Sequence, residues 1–410
     1  MQQYTDLLGN TYTASQDSSV TAMAAVIEAY LGSKSTVMAQ LDDLLAADPE
    51  MPMAQCLRTY LLKLAADPRF ALPVARGLAG LNAIAASLNP REQLHLQALN
   101  HWVANQLHAT VDTLEQLLRL YPRDMLALRL THYLHFYAGD AAQMRVSVER
   151  ALRVWDPSLP YYGYLLGMQS FGLEETGDYG HAEAMGKQAI DLNAEDIWAA
   201  HAVTHVFEMQ GRHREGISWV ATLLPHWQTG NNFVYHLHWH KALCHLGVKD
   251  YETALAIYDT HLEDVISDDF YLDTCNAASL LWRLEMLGVD VGERWQALRS
   301  VSAARVSDDE LIFATLHYLM APARLGDQPV IDRAMAQLQA WSQTQTTQGQ
   351  ICREVGLPVA QALVDLSTGN PHKAAETLQR VASQIYLIGG SHAQRDLFTR
   401  LQRHCATALA

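Results

Sequence analysis

Several features that mark common classes of protein are scarce or missing in this sequence. Basic residues are few: 29 Lys and Arg stand against 44 Asp and Glu, for a formal net charge of −15. An acidic surface repels phosphate backbones and anionic lipids, so we expect the protein to bind neither nucleic acid nor a membrane. No stretch reaches the ~18 uninterrupted apolar residues of a membrane helix. The start, MQQYTDLLGN, lacks the basic and apolar regions of a signal peptide.

Cysteine is also rare, and its arrangement argues against a disulfide framework. The five cysteines are scattered along the chain, odd in number and without a CxxC pair: Cys56, Cys244, Cys275, Cys352 and Cys405. Such a pattern is typical of buried thiols in a reducing compartment. The sequence therefore predicts a cytoplasmic protein.

The motifs of nucleophilic and nucleotide-dependent catalysis are absent. The sequence contains no GxSxG, Walker A, GxGxxG or HExxH pattern. Cys244 follows His240 by four residues, a spacing that a Cys–His pair would also show, but a buried core thiol is the favoured interpretation. Catalysis by Ser or Cys has no positive support.

Amphipathic helical patterns fill the sequence, while strand signals are nearly absent. Runs such as MAAVIEAYL and VDTLEQLLRLY place apolar residues at helical spacing. The turns between them recur every 34 to 43 residues, at Gly139-Asp140, Gly177-Asp178, Gly211-Arg212, Lys249-Asp250, Gly288-Val289, Gly326-Asp327 and Gly369-Asn370. Breaks near Gly32, Asp67 and Gln106 extend the series more weakly. This period predicts an all-α fold, an α-solenoid of tetratricopeptide-like helix-turn-helix repeats.

Small residues soon after the turns support the same fold. They lie in the second helix of each pair, at Ala182, Gly216, Ala254 and Ala374, where a short side chain lets two helices approach closely. GDYGHAEAMGKQAI and KDYETALAIY match the tetratricopeptide turn pattern best. We expect one continuous helical-repeat array over residues 1–410, with divergent repeats in 1–155.

The histidines include two pairs with an informative spacing. His201 and His205 are four residues apart, as are His236 and His240, so each pair shares one helical face. Glu208 lies three residues after His205. Both members of the second pair follow their counterparts by 35 residues, about one repeat. In a tetratricopeptide stack the equivalent first helices line a concave groove, so the four imidazoles are predicted to converge there.

Three interpretations of these four histidines remain open. Two His-x3-His pairs with a carboxylate could hold Zn²⁺ or another divalent metal. The imidazoles could instead be hydrogen-bonding or acid–base groups for a bound small molecule, because His titrates near neutral pH. In the third interpretation they are satisfied polar groups between packed helices. His238 and His245 lie on another face and are interpreted as packing or surface residues.

Further candidate residues lie towards the C-terminus. In IGGSHAQRDLFTRL, Ser391 is a plausible helix N-cap that places Arg395 and Asp396 in the first turn. Asp396 suits the positive end of a helix, whereas Arg395 there could grip a carboxylate or pair with an acidic side chain. His317, in FATLHYLM, is either another groove residue or part of the core.

Several long strings occur in a fixed order between about Pro160 and Leu401: GLEETGDYGHAE, HAVTHVFEMQGR, HLHWH followed by YDTHL, SLLWRLEMLGVDVGERW, GLPVAQAL and GGSHAQRD. In these strings the region 156–410 resembles the tetratricopeptide-repeat protein 38 family. The resemblance implies a helical-repeat fold and no established reaction. The family's recurring polar motifs fall on His201, His205, Glu208, His236, His240, Arg395 and Asp396.

The sequence departs from that family at three places. The family tends to read HN-aromatic-WH where this chain has HLHWH (236–240), and it often has Phe-Asn-Asp before a histidine where this chain has FATLH (313–317). An Asp expected before Trp282 is Asn276. Any metal-binding or general-base role of those acidic residues in the family would be missing here.

The leading hypothesis is a binding protein. Its concave, His-lined groove would hold a small polar molecule or peptide, as such surfaces commonly do. The alternatives are an enzyme that uses the histidines and Glu208 for acid–base or metal-assisted chemistry, and a pure protein-interaction scaffold. The sequence leaves open whether a metal is bound and whether the chain forms a homo-oligomer.

Overall fold

The segments whose sequence shows helical patterning form α-helices in the structure. The structure is a computed structural model that describes residues 2–407, with side chains to residue 406. The α-helices are α1 (Asp17–Leu31), α2 (Val37–Ala47), α3 (Pro52–Leu64), α4 (Ala71–Ala83), α5 (Pro90–Val103), α6 (Leu107–Leu120), α7 (Met125–Tyr137), α8 (Ala141–Leu152), α9 (Tyr162–Glu175), α10 (Tyr179–Leu192), α11 (Ile197–Met209), α12 (His213–Leu223), α13 (Phe233–Gly247), α14 (Tyr251–Ile257), α15 (Tyr271–Met286), α16 (Arg294–Arg305), α17 (Ile312–Leu325), α18 (Gln328–Trp341), α19 (Thr347–Ile351), α20 (Leu357–Ser367), α21 (Pro371–Val381) and α22 (His392–Thr407).

Shorter elements connect several of these helices. Single π-helical turns continue α14 and α19, at Tyr258–Leu262 and Cys352–Gly356. Stretches of 3-10 helix lie at Pro68–Phe70, Ala85–Ser87, Leu224–His226, Ile266–Asp268 and Ala382–Ile388. Consecutive helices pack on each other, as α5 does on α6, α9 on α10 and α20 on α21. The predicted all-α, tetratricopeptide-like α-solenoid class is confirmed.

The turns between paired helices share one backbone conformation. All seven predicted turns contain a residue with positive φ, namely Gly139, Gly177, Gly211, Lys249, Gly288, Gly326 and Gly369. The next residue donates its N–H to a carbonyl five positions back, as Asp178 does to Leu173 over 2.9 Å. This closure satisfies a carbonyl at the helix end and favours glycine at the left-handed position. The weaker breaks have a residue with the same positive φ one position away, at Ser33, Ala66 and Asn105.

The small residues after the turns lie where helices approach each other. Ala182, Ala254 and Ala374 are completely buried. A Cβ added at Gly216 would lie 2.8 Å from the Sγ atom of Cys244. Larger side chains would separate the helices, so the sequence-based interpretation of these positions is confirmed.

A β-hairpin at the N-terminus was not predicted. Strands β1 (Gln2–Thr5) and β2 (Thr11–Ala14) pair antiparallel, with Gln2 opposite Ala14. Each strand is only four residues long, too short to stand out as an alternating pattern. Contacts from α5 hold the hairpin: the Glu92 carboxylate accepts both the N–H and the hydroxyl of Thr13 at 2.8 Å. Such partners, far apart in sequence, leave no local signal.

Contacts divide the chain into two units. Unit 1 comprises the chain through Phe136 together with Asp140–Val206 and Thr222–Phe233. Unit 2 comprises Tyr137–Gly139, Phe207–Ala221 and the chain from Val234 onward. Unit 2 has a large apolar core that runs from α13 to α22. One continuous repeat array remains a prediction.

The cysteines lie in the interior, as predicted for reduced structural thiols. All five are free and buried. Burial raises the pKa of Cys244 far above its ordinary value, and Glu208 adds to the effect. A thiol that stays protonated is a poor nucleophile, which supports its interpretation as a core residue.

Among the helices formed by the described residues, none combines the length and the apolar character that a membrane span requires.

Candidate functional site

The two histidine pairs lie on α11 and α13, on one face of each helix as the spacing predicted. All four side chains are buried, with His205 and His240 completely so. Within each pair the imidazole rings meet through their Nε2 atoms, 2.9 Å apart for His201 and His205 and 3.2 Å apart for His236 and His240. Each pair therefore presents two ring nitrogens to one point.

In unit 1, aromatic rings and one carboxylate surround the first pair. The Nδ1 atom of His205 lies 3.4 Å from an Oε2 atom of Glu174, and both side chains are fully buried. Three rings pack around His201, with centroids 5.1 to 5.5 Å from its own: Phe171, Trp198 and Phe233. The pair lies in apolar surroundings that exclude water on these sides.

In unit 2, hydrogen bonds orient the second pair. The Nδ1 atom of His236 lies 2.9 Å from Oδ1 of Asn276 on α15. The Nδ1 atom of His240 lies 2.9 Å from Oε2 of Glu208, which follows His205 by one turn on α11. Both imidazoles are thus held through the nitrogen that faces away from their shared contact.

These partners determine where the protons of the second pair lie. The Glu208 carboxylate only accepts hydrogen bonds, so His240 donates from Nδ1, and with Oδ1 of Asn276 facing it His236 does the same. In the neutral form of both imidazoles the Nε2 atoms are then unprotonated, and two lone pairs face each other across 3.2 Å. Such an arrangement is repulsive unless a cation or an additional proton lies at the contact.

A metal ion would satisfy this arrangement. Nitrogens bound at about 2.0–2.1 Å to one tetrahedral Zn²⁺ lie roughly 3.3 Å apart, close to the observed Nε2 separations. Metal-ligating histidines also almost always donate their other N–H to a carboxylate or carbonyl, which fixes the tautomer and raises the basicity of the ligand. Glu208 and Asn276 occupy that position for His240 and His236.

The other predicted residues lie on α17 and α22, in unit 2. His317, on α17, is buried and donates from Nδ1 to the Phe313 carbonyl over 2.8 Å. Burial lowers its pKa to about 4, and the positive charge of Arg283 contributes. His317 is therefore neutral at physiological pH and can accept a hydrogen bond only at Nε2.

Helix α22 begins as predicted, with Ser391 as its N-cap. The N–H of Gln394 donates to Oγ of Ser391, and the Gln394 side chain accepts the Ser391 N–H at 2.8 Å. Arg395 is buried and donates to the Gly390 carbonyl. Asp396 forms an ion pair with Arg400 near the surface. A ligand-binding role for Arg395 and Asp396 remains a prediction.

Sequence reasoning missed three polar residues around the histidines: Glu174, Asn276 and Arg283. Asn276 was noted only as a departure from an expected Asp, yet its oxygen is the hydrogen-bond acceptor for His236. Glu174 lies in the string GLEETGDYGHAE, but no spacing relates it to His205. These partnerships join residues 31 to 40 positions apart, as between Glu174 and His205 or His236 and Asn276, and only the fold reveals them.

Two further histidines of α13 lie outside this arrangement. His238 stacks on His261, with ring centroids 3.7 Å apart. His245 contacts Asp250 at the following turn through a 2.9 Å bond. Both therefore serve as controls for substitutions of the paired histidines.

Comparisons with known proteins add likenesses of fold. No family model matches the sequence. A tetratricopeptide repeat protein from Parabacteroides merdae is 15% identical and covers 68% of this chain and 97% of its own, with a TM-score of 0.35. A Rap protein complexed with competence and sporulation factor is 12% identical and covers 87% of this chain and 98% of its own, with a TM-score of 0.42. The P58(IPK) TPR domain is 13% identical and covers 95% of this chain and 99% of its own, with a TM-score of 0.22.

Proposed function

We propose that this helical-repeat protein binds a divalent metal ion of the Zn²⁺ class through His201, His205, His236 and His240. The observation that carries the proposal is the second pair, in which both Nδ1 atoms are committed to acceptors and both Nε2 atoms point at each other. The first pair has the same Nε2 contact, with Glu174 at the outer nitrogen of His205. All four imidazoles are ligands of intermediate softness, which is the kind that zinc prefers.

One shared centre is the simplest form of this proposal. The pairs are 35 residues apart on the first helices of consecutive repeats, so they occupy equivalent positions. The four residues also belong to a group of side chains that could hold a metal ion. Two histidines alone would leave a zinc ion short of the three or four protein ligands it usually has.

We further propose that the metal centre belongs to a binding site for a small polar molecule or peptide. A buried cation attracts the polar or anionic end of a ligand, and tetratricopeptide-like repeats commonly present ligand-binding surfaces. Membership of the tetratricopeptide-repeat protein 38 family is part of the same proposal and rests on the ordered strings between Pro160 and Leu401.

Acid–base chemistry is a second candidate, favoured by the Glu208–His240 contact. A carboxylate 2.9 Å from Nδ1 fixes the orientation of the imidazole, as general acid–base catalysis requires. The same contact supports metal ligation, so the two candidates differ in whether the His240 Nε2 atom binds a metal or exchanges protons.

Thermal unfolding with and without a chelator distinguishes metal binding from acid–base chemistry. We expect Zn²⁺ to raise the melting temperature of untagged, EDTA-treated protein, because an ion that binds only the folded state stabilises it. His240→Gln keeps a polar side chain and is expected to lose the response. His238→Gln, on the same helix, is expected to keep it.

Two results would contradict the metal proposal. One is an unchanged melting temperature of the wild-type protein on adding Zn²⁺. The other is an equal Zn²⁺ response in His240→Gln and the wild type.

A further inference from the structure

Arg283 is a buried cation without an ion pair. It lies on α15 with only 4% of its surface exposed. Its guanidinium donates to the hydroxyl and the carbonyl of Ser279 and, over 2.6 Å, to the carbonyl of Ala393. All these acceptors are neutral, and among the described residues no carboxylate forms an ion pair with it. Charged groups are rarely buried in this way unless a counter-ion is present.

The acidic residues nearest to Arg283 already have other partners. Asp396 and Glu208 act on its charge from a distance. Asp396 pairs with Arg400, and Glu208 with His240. Burial lowers the pKa of Arg283 to about 10, so the guanidinium remains protonated at neutral pH without a counter-ion of its own.

The surroundings of Arg283 fit an anionic group. Its Cζ atom lies 5.6 Å from the centre of the Trp239 ring, on which His236 also stacks at 5.2 Å. The carbonyl that it contacts belongs to Ala393, in the first turn of α22, where free N–H groups favour negative charge. His317 is neutral and does not compete for an anion.

Arg283 also retains hydrogen-bonding capacity. A guanidinium carries five N–H donors, and the observed bonds occupy its two terminal nitrogens towards Ser279 and Ala393. The Nε–H group and at least one terminal N–H remain for a further acceptor. Two adjacent donors of this kind match the two oxygens of a carboxylate.

We infer that Arg283 binds the carboxylate of a small-molecule or peptide ligand, beside the Trp239 ring that it shares with His236. A single negative charge matches the single buried guanidinium, whereas a phosphate would bring an excess of charge into this interior. The inference names a ligand class for the proposed binding site, but anion binding by Arg283 does not itself require the metal.

Melting temperatures measured in sodium acetate, against sodium chloride at equal ionic strength, test the inference. We expect acetate to stabilise the wild-type protein and to have no specific effect on Arg283→Met. Arg324→Met removes an exposed guanidinium paired with Glu285, and this control is expected to keep the acetate response. Metal content is measured on the same samples, so that failure of the carboxylate site and failure of the metal site are distinguishable.

Two further readouts separate ligand binding from a structural role of Arg283. In chloride, Arg283→Met is expected to melt no lower than the wild type, because the uncompensated charge is gone. Arg283→Lys, which keeps the charge but not the paired donors, is expected to need at least tenfold more acetate for the same shift. Should Arg283→Met not fold, the lysine variant provides the test.

Three results would overturn the inference. The first is a wild-type protein that responds equally to acetate and chloride. The second is an acetate response that persists undiminished in Arg283→Met or Arg283→Lys. The third is a stronger stabilisation by inorganic phosphate than by acetate, which would reject the carboxylate.

Discussion

At the scale of single residues, Asp124 and Asp196 have the same structural role in opposite electrostatic surroundings. Each caps the N-terminus of a helix by accepting a hydrogen bond from the backbone N–H of the residue three positions later. The N···O distance is 2.9 Å for Asp124 and 3.0 Å for Asp196. The second oxygen of Asp124 bonds Arg91 and His95. The second oxygen of Asp196 has no hydrogen-bond partner among the described residues. One carboxylate is stabilised as an anion and the other is not.

Their pKa values move apart accordingly. Burial would raise the pKa of Asp124, but Arg91 and His95 bring it well below its ordinary value. Burial raises the pKa of Asp196 to about 7, and the nearby Arg129 only partly opposes this shift. The folded state thus holds a proton on Asp196 that the unfolded state releases near pH 4, so this group reduces stability as the pH rises from about 4 to 7.

Asp196→Asn tests this linkage. Asparagine keeps the cap and cannot ionise, so the variant should gain stability over the wild type as the pH rises, by roughly 4 kcal/mol at pH 8 and little at pH 4. Urea unfolding at pH 4, 6 and 8 measures the difference. Asp124→Asn is the matched control and should lose stability at pH 8, because it leaves Arg91 without its counter-ion. A difference between Asp196→Asn and the wild type that does not vary with pH would contradict the account.

At the scale of the helix pair, the turn conformation explains why the repeat could be predicted from the sequence. A left-handed residue after each first helix favours glycine, and the next residue starts the second helix, often as Asp. Both preferences are local and therefore recur with the repeat. The N-terminal hairpin has no such signature, because Glu92 and Arg91 hold it from 79 and 80 positions away.

Substitution of two turn glycines by alanine distinguishes the cost of a left-handed backbone conformation from the cost of a steric clash. At Gly211 (φ +70°) an added Cβ would meet nothing within 4 Å, whereas at Gly139 (φ +70°) it would lie 2.2 Å from the Tyr386 carbonyl oxygen. Gly211→Ala should cost about 1 kcal/mol for the left-handed conformation alone. Gly139→Ala should cost at least twice as much, because backbone must move. Chemical denaturation measures both, and equal losses would show that the approach of Tyr386 is unimportant.

At the scale of the whole molecule, the sequence predicted which helices carry the polar residues but not how these residues are connected. The 35-residue offset predicted that the two histidine pairs occupy equivalent positions in successive repeats. It did not reveal that Asn276 and Glu208 orient the second pair, or that Arg283 is buried without a counter-ion. Those relations depend on the packing of helices from different repeats, for which side-chain periodicity contains no information.

The central claim is that four histidines from two repeats bind one metal ion. Elemental analysis of untagged protein, purified without chelator, tests it most directly, with His201→Ala, His236→Ala and the control His238→Ala measured alongside. We predict about one divalent ion per chain in the wild type and in His238→Ala, and almost none in either of the other variants. A wild-type content near zero, or a metal content unchanged in His201→Ala and His236→Ala, would contradict the account.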